Sequence, residues 1–233
     1  MKSLNEAVSY PRASDEWVQT TLIGGLFVLT SFLLLPLFLV YGYLVRAARE
    51  TLAENPEPPV FDGLEELLVN GIKAWVISLV YGIVPLIVGG ITVGSAVASF
   101  ALGGDVTITT GALLFGLSVT FVLFVLFGYV AAAALVNFAA GGRFADGFAL
   151  GQVWTIVRSR TFAVAWLTTV GLFLAAGFLT ALVNSIPFLG IYLGAVVNFY
   201  VAVVAATLWA SGYSDIEIPP ERTRSPGTDE TPT

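Results

Sequence analysis

A run of 54 consecutive residues, 161–214, contains no acidic or basic side chain. As a single helix this run would be about 80 Å long, whereas the hydrocarbon layer of a bilayer is about 30 Å thick. The run must therefore cross a membrane twice. The turn between the two crossings is predicted at residues 184–187, because Pro187 lacks a backbone donor and disfavours helical geometry in the residue before it.

Three further uncharged runs each have the length of one span, and they cover residues 17–45, 74–104 and 106–142. The predicted fold is an all-α, polytopic membrane helix bundle of about five transmembrane helices with short interfacial amphipathic helices. The spans are predicted near residues 20–44, 74–99, 111–138, 162–183 and 188–211. Around them we expect an N-terminal interfacial segment at 1–19, cytoplasmic loops at 45–73 and 139–161, and a disordered tail rich in acidic residues, proline and threonine at 212–233.

The composition excludes several classes of protein. Hydrophobic residues make up 57% of the chain and charged residues 11%, whereas soluble domains are about 25% charged. The ten basic residues are outnumbered by sixteen acidic ones, which excludes a nucleic-acid partner. Histidine and cysteine are absent, so the usual metal ligands and general acid–base groups are missing. We therefore predict no enzyme activity, no catalytic residue, no cofactor and no metal.

The positions of the basic residues predict an orientation in the cell membrane. The two long loops and the tail contain eight of the ten Lys and Arg residues, and such residues favour the cytoplasmic side. The N-terminus is then outside, but Lys2 and Arg12 do not fit this arrangement. In an alternative, Pro36 breaks the first run into a re-entrant hairpin, which leaves four true spans and the N-terminus inside.

The chain also has the pattern of a parallel tandem repeat. Residues 20–43 resemble residues 109–129, and residues 61–64 resemble residues 145–148. Each copy would contain a span, a cytoplasmic loop with a short amphipathic helix, and a second span in the same orientation. The fifth span has no counterpart, which makes it a candidate for a dimer contact.

An Asp-Gly pair is predicted to open a short helix in each loop. Asp62 and Asp146 can cap these helices, because an aspartate at this position accepts hydrogen bonds from the first helical turn. A functional alternative is contact with lipid headgroups, since basic residues follow the second pair. The candidate headgroup or interface residues are Asp62, Asp146, Arg143, Arg158 and Arg160.

Small and polar residues within the spans predict helix–helix contacts. Glycines four residues apart let two backbones approach closely, and an asparagine in hydrocarbon requires a hydrogen-bond partner. The candidate contact residues are Gly90, Gly94, Asn137, Gly190, Gly194 and Asn198.

Most of the chain resembles an uncharacterised membrane family, domain of unknown function 4013, which is common in halophilic archaea. The resemblance is most specific in residues 7–17, 36–46 and 58–62, which include Gly42 and Asp62, together with the Gly24-Gly25 pair. It implies a multi-pass membrane protein of haloarchaeal origin. No catalytic or binding residue follows from it.

Two function classes remain. The first is a non-enzymatic membrane component that binds a partner protein or lipid, and the absence of catalytic groups favours it. The second is an oligomeric permease or channel subunit for a neutral solute. The expected partners are the lipid bilayer and a second copy of the chain or an unidentified membrane partner. A lipid enzyme that uses the two Asp-Gly aspartates is the third and least favoured hypothesis.

Overall fold

The structure is a computed structural model that describes residues 2–184, 186 and 189–216. Every regular element in these residues is a helix, which confirms the predicted all-α bundle. The helices are α1 Leu4–Ser9, α2 Trp17–Leu29, α3 Leu35–Leu52, α4 Leu64–Ala101, α5 Val106–Gly141, α6 Leu150–Val157, α7 Arg160–Val183 and α8 Leu189–Ser214. Short 3₁₀ turns occupy Tyr10–Arg12, Ser31–Leu33 and Phe144–Phe148.

Four of the described helices, α4, α5, α7 and α8, are long and apolar enough to cross a membrane. They coincide with the last four predicted spans, and they indicate a membrane-embedded protein. The predicted tail lies mostly outside the described residues, as do Ser185, Pro187 and Phe188 of the predicted turn. Within the described part, α8 continues to Ser214, beyond the predicted end of the span.

The first predicted span is not one helix. The chain leaves α2 after Leu29, forms a 3₁₀ turn, and enters α3 after Leu34, whose φ is 63°. Pro36 is not the break itself, because it lies in the first turn of α3, where a missing backbone donor removes no helical hydrogen bond. The prediction of a continuous helix over 20–44 is therefore wrong, whereas the alternative of a broken first run agrees with the structure.

The loop between α3 and α4 is shorter than predicted. Helix α3 continues to Leu52, and α4 begins at Leu64 and runs for 38 residues without interruption. The predicted interfacial helix after Asp62 is therefore the first part of α4 rather than a separate element. In the second loop a separate short helix, α6, does form, and its Leu150 and Trp154 side chains are exposed.

We call the side of the bundle where residues 53–63 and 142–159 lie the loop end. The Tyr10 hydroxyl donates to the backbone oxygen of Glu57, at 3.1 Å, so the first residues of the chain contact the loop between α3 and α4. Tyr200 of α8 fixes the same segment by donating to the backbone oxygen of Val8. This contact agrees with the re-entrant alternative, in which the start of the chain and the loops share one side.

Close backbone approach joins α3 and α4. A Cβ atom added to Gly42 would lie 1.9 Å from the Leu67 carbonyl oxygen, and one added to Gly71 would lie 1.8 Å from the Phe38 carbonyl oxygen. Only glycine fits at such crossings. Helix α4 packs along α3 and α5, α7 packs along α8, and both α2 and α3 pack on α8. The half of α8 nearest the loop end is almost entirely buried.

The two copies of the predicted repeat share one feature and differ in another. The matching tyrosines both donate to a loop carbonyl, Tyr43 to Pro59 at 2.8 Å and Tyr129 to Val157 at 2.7 Å. The matching glycines differ in the space beside them. A Cβ atom added to Gly42 would collide with the backbone of α4, whereas one added to Gly128 would meet nothing within 4 Å. The similarity in sequence therefore does not extend to the same helix packing.

Candidate functional site

An apolar cavity of about 190 Å³ lies between α3, α4, α5, α7 and α8. Six of the residues around it are alanines, and its aromatic walls are Tyr41, Phe173 and Trp209. Alanines leave space where larger side chains would meet across the bundle. The alanines are Ala48, Ala74, Ala139, Ala202, Ala205 and Ala206.

Two polar side chains of the cavity wall are hydrogen-bonded within the protein. The Trp209 indole donates to the Thr169 hydroxyl at 3.1 Å, and the Ser78 hydroxyl donates to the Ala74 carbonyl oxygen at 2.9 Å. Empty apolar cavities of this kind exclude water and bind small apolar molecules. The chemistry of the wall therefore suits hydrocarbon.

Arg49 forms a polar layer beside the cavity at the loop end. Its Nε donates to the Ala139 carbonyl oxygen at 3.3 Å, and its Nη2 donates to the Asn70 amide oxygen at 3.4 Å. The guanidinium also lies 5.7 Å from the Phe138 ring centroid and 3.8 Å from a Glu66 oxygen. Arg49 thus links α3, α4 and α5 where each of them leaves the cavity wall.

Asp62 does not cap α4. Its carboxylate accepts from Arg46, which also lies 3.3 Å from Glu66. The residue before α4 is Gly63, with a φ of 56° and no side-chain cap. A left-handed residue here turns the chain into α4, and Asp62 remains at the surface as part of an ion-pair cluster.

Asp146 is a structural residue within the second loop. Its carboxylate is buried, and it accepts from the Arg143 backbone N–H at 3.0 Å and from the Arg143 guanidinium at 2.7 Å. The hydrogen bonds from the Arg143 side chain hold the pKa of the Asp146 carboxyl below its ordinary value. Because the carboxylate is enclosed by its own turn, it offers little surface to a headgroup.

Asn137 joins three elements at the loop end. Its amide donates to the Asp146 carbonyl oxygen at 2.7 Å and to Gln152 of α6 at 2.9 Å. Its oxygen accepts from the Tyr213 hydroxyl of α8 at 3.3 Å. Asn137 therefore connects α5 to α6, α8 and the second Asp-Gly turn.

The remaining headgroup candidates are exposed. Arg158 lies over the Trp154 ring at 4.6 Å, and Arg160 is the first residue of α7. The Arg143 side chain is 72% exposed although it contacts Asp146. These three arginines lie on the surface of the second loop, whereas Asp62 and Asp146 form ion pairs with Arg46 and Arg143.

The predicted helix contacts divide into two groups. Gly194 approaches the Thr180 side chain of α7, and Asn198 donates to the Gly194 carbonyl oxygen at 2.8 Å and to the Thr180 hydroxyl at 3.5 Å. Gly190 lies against the backbone of residues 183–184. A Cβ atom added to Gly90 or Gly94 would meet nothing within 4 Å, so the side of α4 at these two glycines is not packed against another described helix of this chain.

Sequence reasoning did not find the cavity or the role of Arg49. The cavity depends on alanines from four helices, and only the three-dimensional packing brings them together. A detectable pattern was the set of alanines Ala202, Ala205 and Ala206 on α8, since several alanines on one helix leave space beside it. In the described residues no group of three or more acidic side chains is placed to hold a metal ion.

A family model described as protein of unknown function, DUF4013, matches residues 25–185. This region is more than half of the 233 residues. The chain belongs to the DUF4013 family. The region that matches DUF4013 contains Arg49, Asn137 and Asp146, and it leaves Arg12 and α8 outside. No curated protein and no solved structure matches this chain.

Proposed function

We propose that this DUF4013 protein is a non-enzymatic membrane component that binds the hydrocarbon part of a lipid-like molecule. The observation that carries the proposal is the alanine-lined cavity beside Arg49. An engineered apolar cavity of about 150 Å³ in another protein binds benzene. A cavity of about 190 Å³ therefore suits the end of an acyl chain or a similar branched hydrocarbon.

Fluorescence quenching tests the proposal, because Trp209 is part of the cavity wall. In a variant whose only tryptophan is Trp209, reconstituted in phosphatidylcholine vesicles, brominated acyl chains are expected to quench the fluorescence. A substitution that fills the cavity, Ala206→Leu, should reduce this quenching by at least about half, since quenching needs direct contact and the added methyl groups occupy the same space.

Ala112→Leu is the matched control, because Ala112 is exposed on α5 and does not contribute to the cavity wall. It should leave the quenching unchanged. Equal quenching in wild type and in Ala206→Leu would show that the bromine atoms approach Trp209 from outside the cavity, and the proposal would be wrong.

The permease hypothesis receives less support. Broken helices at membrane depth are expected to line a cavity or to be covered by protein. Here the described residues do not cover the tip between α2 and α3, since Phe32 is 78% exposed and Leu33 is 60% exposed. A second copy of the chain would have to cover this tip, so an oligomer that releases a neutral solute from sealed vesicles would favour the permease.

The partners proposed for this protein are the lipid bilayer and a second copy of the chain or another membrane protein. The open face of α4 at Gly90 and Gly94 is available to lipid or to a second copy of this chain.

A haloarchaeal origin, which the family resemblance implies, is supported by the excess of acidic residues. Such an excess maintains hydration at high salt, where repulsion between carboxylates is screened.

We also propose that the loop end and the N-terminus are cytoplasmic, with the protein in the cell membrane. The contact of Tyr10 with Glu57 supports this orientation, because it joins the segment that contains Lys2 and Arg12 to the loop after Arg46 and Arg49. The turn between α4 and α5 contains no basic residue. This distribution satisfies the positive-inside rule better than an external N-terminus does.

Single cysteines test this orientation, because the chain has no native cysteine. We expect a membrane-impermeant maleimide to label Val106→Cys in intact cells, since Val106 is 67% exposed at the end opposite the loops. Ser3→Cys and Gly151→Cys should react only after permeabilisation. Labelling of Ser3→Cys in intact cells, with Gly151→Cys protected, would contradict the proposal.

A further inference from the structure

Arg12 lies at the mouth of a second apolar space, a groove of about 440 Å³ between α2, α7 and α8. We call it the Arg12 groove. Its floor consists of apolar side chains of α7 and α8, including Leu172, Leu179 and Val197. The groove lies apart from the alanine-lined cavity, with which it shares no residue.

Two aromatic rings hold the Arg12 side chain at this position. Its guanidinium carbon is 5.5 Å from the ring centroid of Tyr200 and 6.0 Å from that of Trp17. The Tyr200 ring is itself fixed, because its hydroxyl donates to the backbone oxygen of Val8. Stacking on ring faces leaves the N–H groups at the edge of a guanidinium free to donate.

The charge of Arg12 is not matched within the part of the chain that the structure describes. Asp15 and Glu16 are close in sequence, but Arg12 forms no ion pair with them or with another described carboxylate. An exposed arginine beside apolar side chains is complementary to a molecule that is anionic at one end and apolar at the other.

Thr21 adds a polar group within the groove. Its side chain is mostly buried, it lines the groove, and its hydroxyl makes no hydrogen bond to a described residue. The hydroxyl is not among the buried side-chain atoms that lack a partner, so a molecule in the groove can reach it, and an acceptor there would give it a hydrogen bond. The carbonyl oxygens of a lipid ester would provide acceptors between the charged end and the apolar end.

We propose that the Arg12 groove binds one anionic phospholipid. The phosphate lies on Arg12, the ester region lies beside Thr21, and one acyl chain occupies the groove between α7 and α8. This site is independent of the hydrocarbon-binding cavity, so either proposal can fail without the other.

Native mass spectrometry of the full, delipidated chain tests the site by titration with dioleoyl phosphatidylglycerol and dioleoyl phosphatidylcholine. Wild type is expected to bind phosphatidylglycerol at least about fivefold more tightly. Arg12→Gln should weaken phosphatidylglycerol binding about tenfold, because a charge-assisted hydrogen bond is lost, and should weaken phosphatidylcholine binding less, because the choline ammonium already neutralises the phosphate of that lipid. Arg12→Lys should bind phosphatidylglycerol with an affinity between those of wild type and Arg12→Gln, since lysine keeps the charge without the planar donor group.

Lys2→Gln is the matched control, because the Lys2 ammonium also lies over an aromatic ring, that of Tyr10, but outside the groove. It should bind phosphatidylglycerol like wild type. Ala175→Phe, which fills the groove from its exposed edge, should weaken binding of both dioleoyl lipids.

Three outcomes would overturn the proposal. The first is equal affinity of wild type for both lipids, and the second is an equal loss in Lys2→Gln and Arg12→Gln, which would show a general effect of charge. The third is equal binding of glycerol phosphate and the full lipid, which would indicate a phosphate site without an acyl chain. Trp209 quenching should persist in Arg12→Gln, so a failure here is distinguishable from failure of the cavity proposal.

Discussion

Gly71→Val is expected to prevent most of the protein molecules from folding, because the new side chain would collide with α3. Its Cβ would lie 1.8 Å from the Phe38 carbonyl oxygen and 2.9 Å from the Gly42 backbone nitrogen. Both atoms belong to the backbone, so neither can move as a side chain could. Overpacking of a well-packed core costs about 1–3 kcal/mol even where side chains can adjust, and here the cost should be larger.

Gly90→Val on the same helix is the control. The two substitutions are chemically identical, but a Cβ atom added to Gly90 would meet nothing within 4 Å. Gly90→Val should therefore change the free energy of unfolding by no more than about 0.5 kcal/mol. The difference is measured as the yield of monodisperse protein in gel filtration. We expect the yield of Gly71→Val to be at least about tenfold lower than that of Gly90→Val, which corresponds to a loss of folding free energy above about 1.4 kcal/mol. Equal yields would mean that α3 and α4 do not cross at these glycines.

Asn137→Leu is expected to have the second largest effect. Asn137 is 2% exposed, and leucine has a similar size, so the substitution removes hydrogen bonds without leaving a large void. The Asp146 carbonyl oxygen, the Gln152 amide and the Tyr213 hydroxyl lose a partner. Each unpaired buried group costs about 1–3 kcal/mol, so we expect a total loss of roughly 2–5 kcal/mol.

Thermal unfolding and limited proteolysis measure this loss. The midpoint temperature should fall by several degrees, and cleavage in the second loop should become faster, because Asn137 holds both the 3₁₀ turn and α6 against α5. Asn5→Leu provides the comparison, since Asn5 is exposed on α1. Unchanged stability of Asn137→Leu would show that water or neighbouring groups replace the lost hydrogen bonds.

The sequence predicts the long helices well because their length follows from hydropathy alone. The runs without charge contain α5, α7 and α8 within a few residues of their observed ends. The boundary of α4 was less predictable. Lys73 suggested that the span began after it, but a charged residue does not end a helix, and no proline interrupts residues 64–73.

The candidate site was less predictable than the fold, because it depends on which helices face each other. The position of Arg46 next to Asp62 and of Arg49 next to Ala139 follows from the packing of α3 against α4 and α5. The prediction that Asp62 caps a helix used only the local sequence, in which an aspartate precedes a glycine. The Arg46 guanidinium competes for the Asp62 carboxylate, and a charged partner forms the stronger hydrogen bond.

The short hairpin of α2 and α3 gives the molecule a tapered shape. Phe38, in the first turn of α3, packs on Trp75 of α4, and α4 continues for about 39 Å beyond Trp75 at 1.5 Å per residue. In the part of the chain that the structure describes, α2 and α3 therefore add to the cross-section near the loop end, whereas α4 continues beyond them toward the opposite end. A wedge of this shape occupies unequal areas in the two leaflets, so the protein is expected to accumulate where membrane curvature expands the leaflet that contains its wider end.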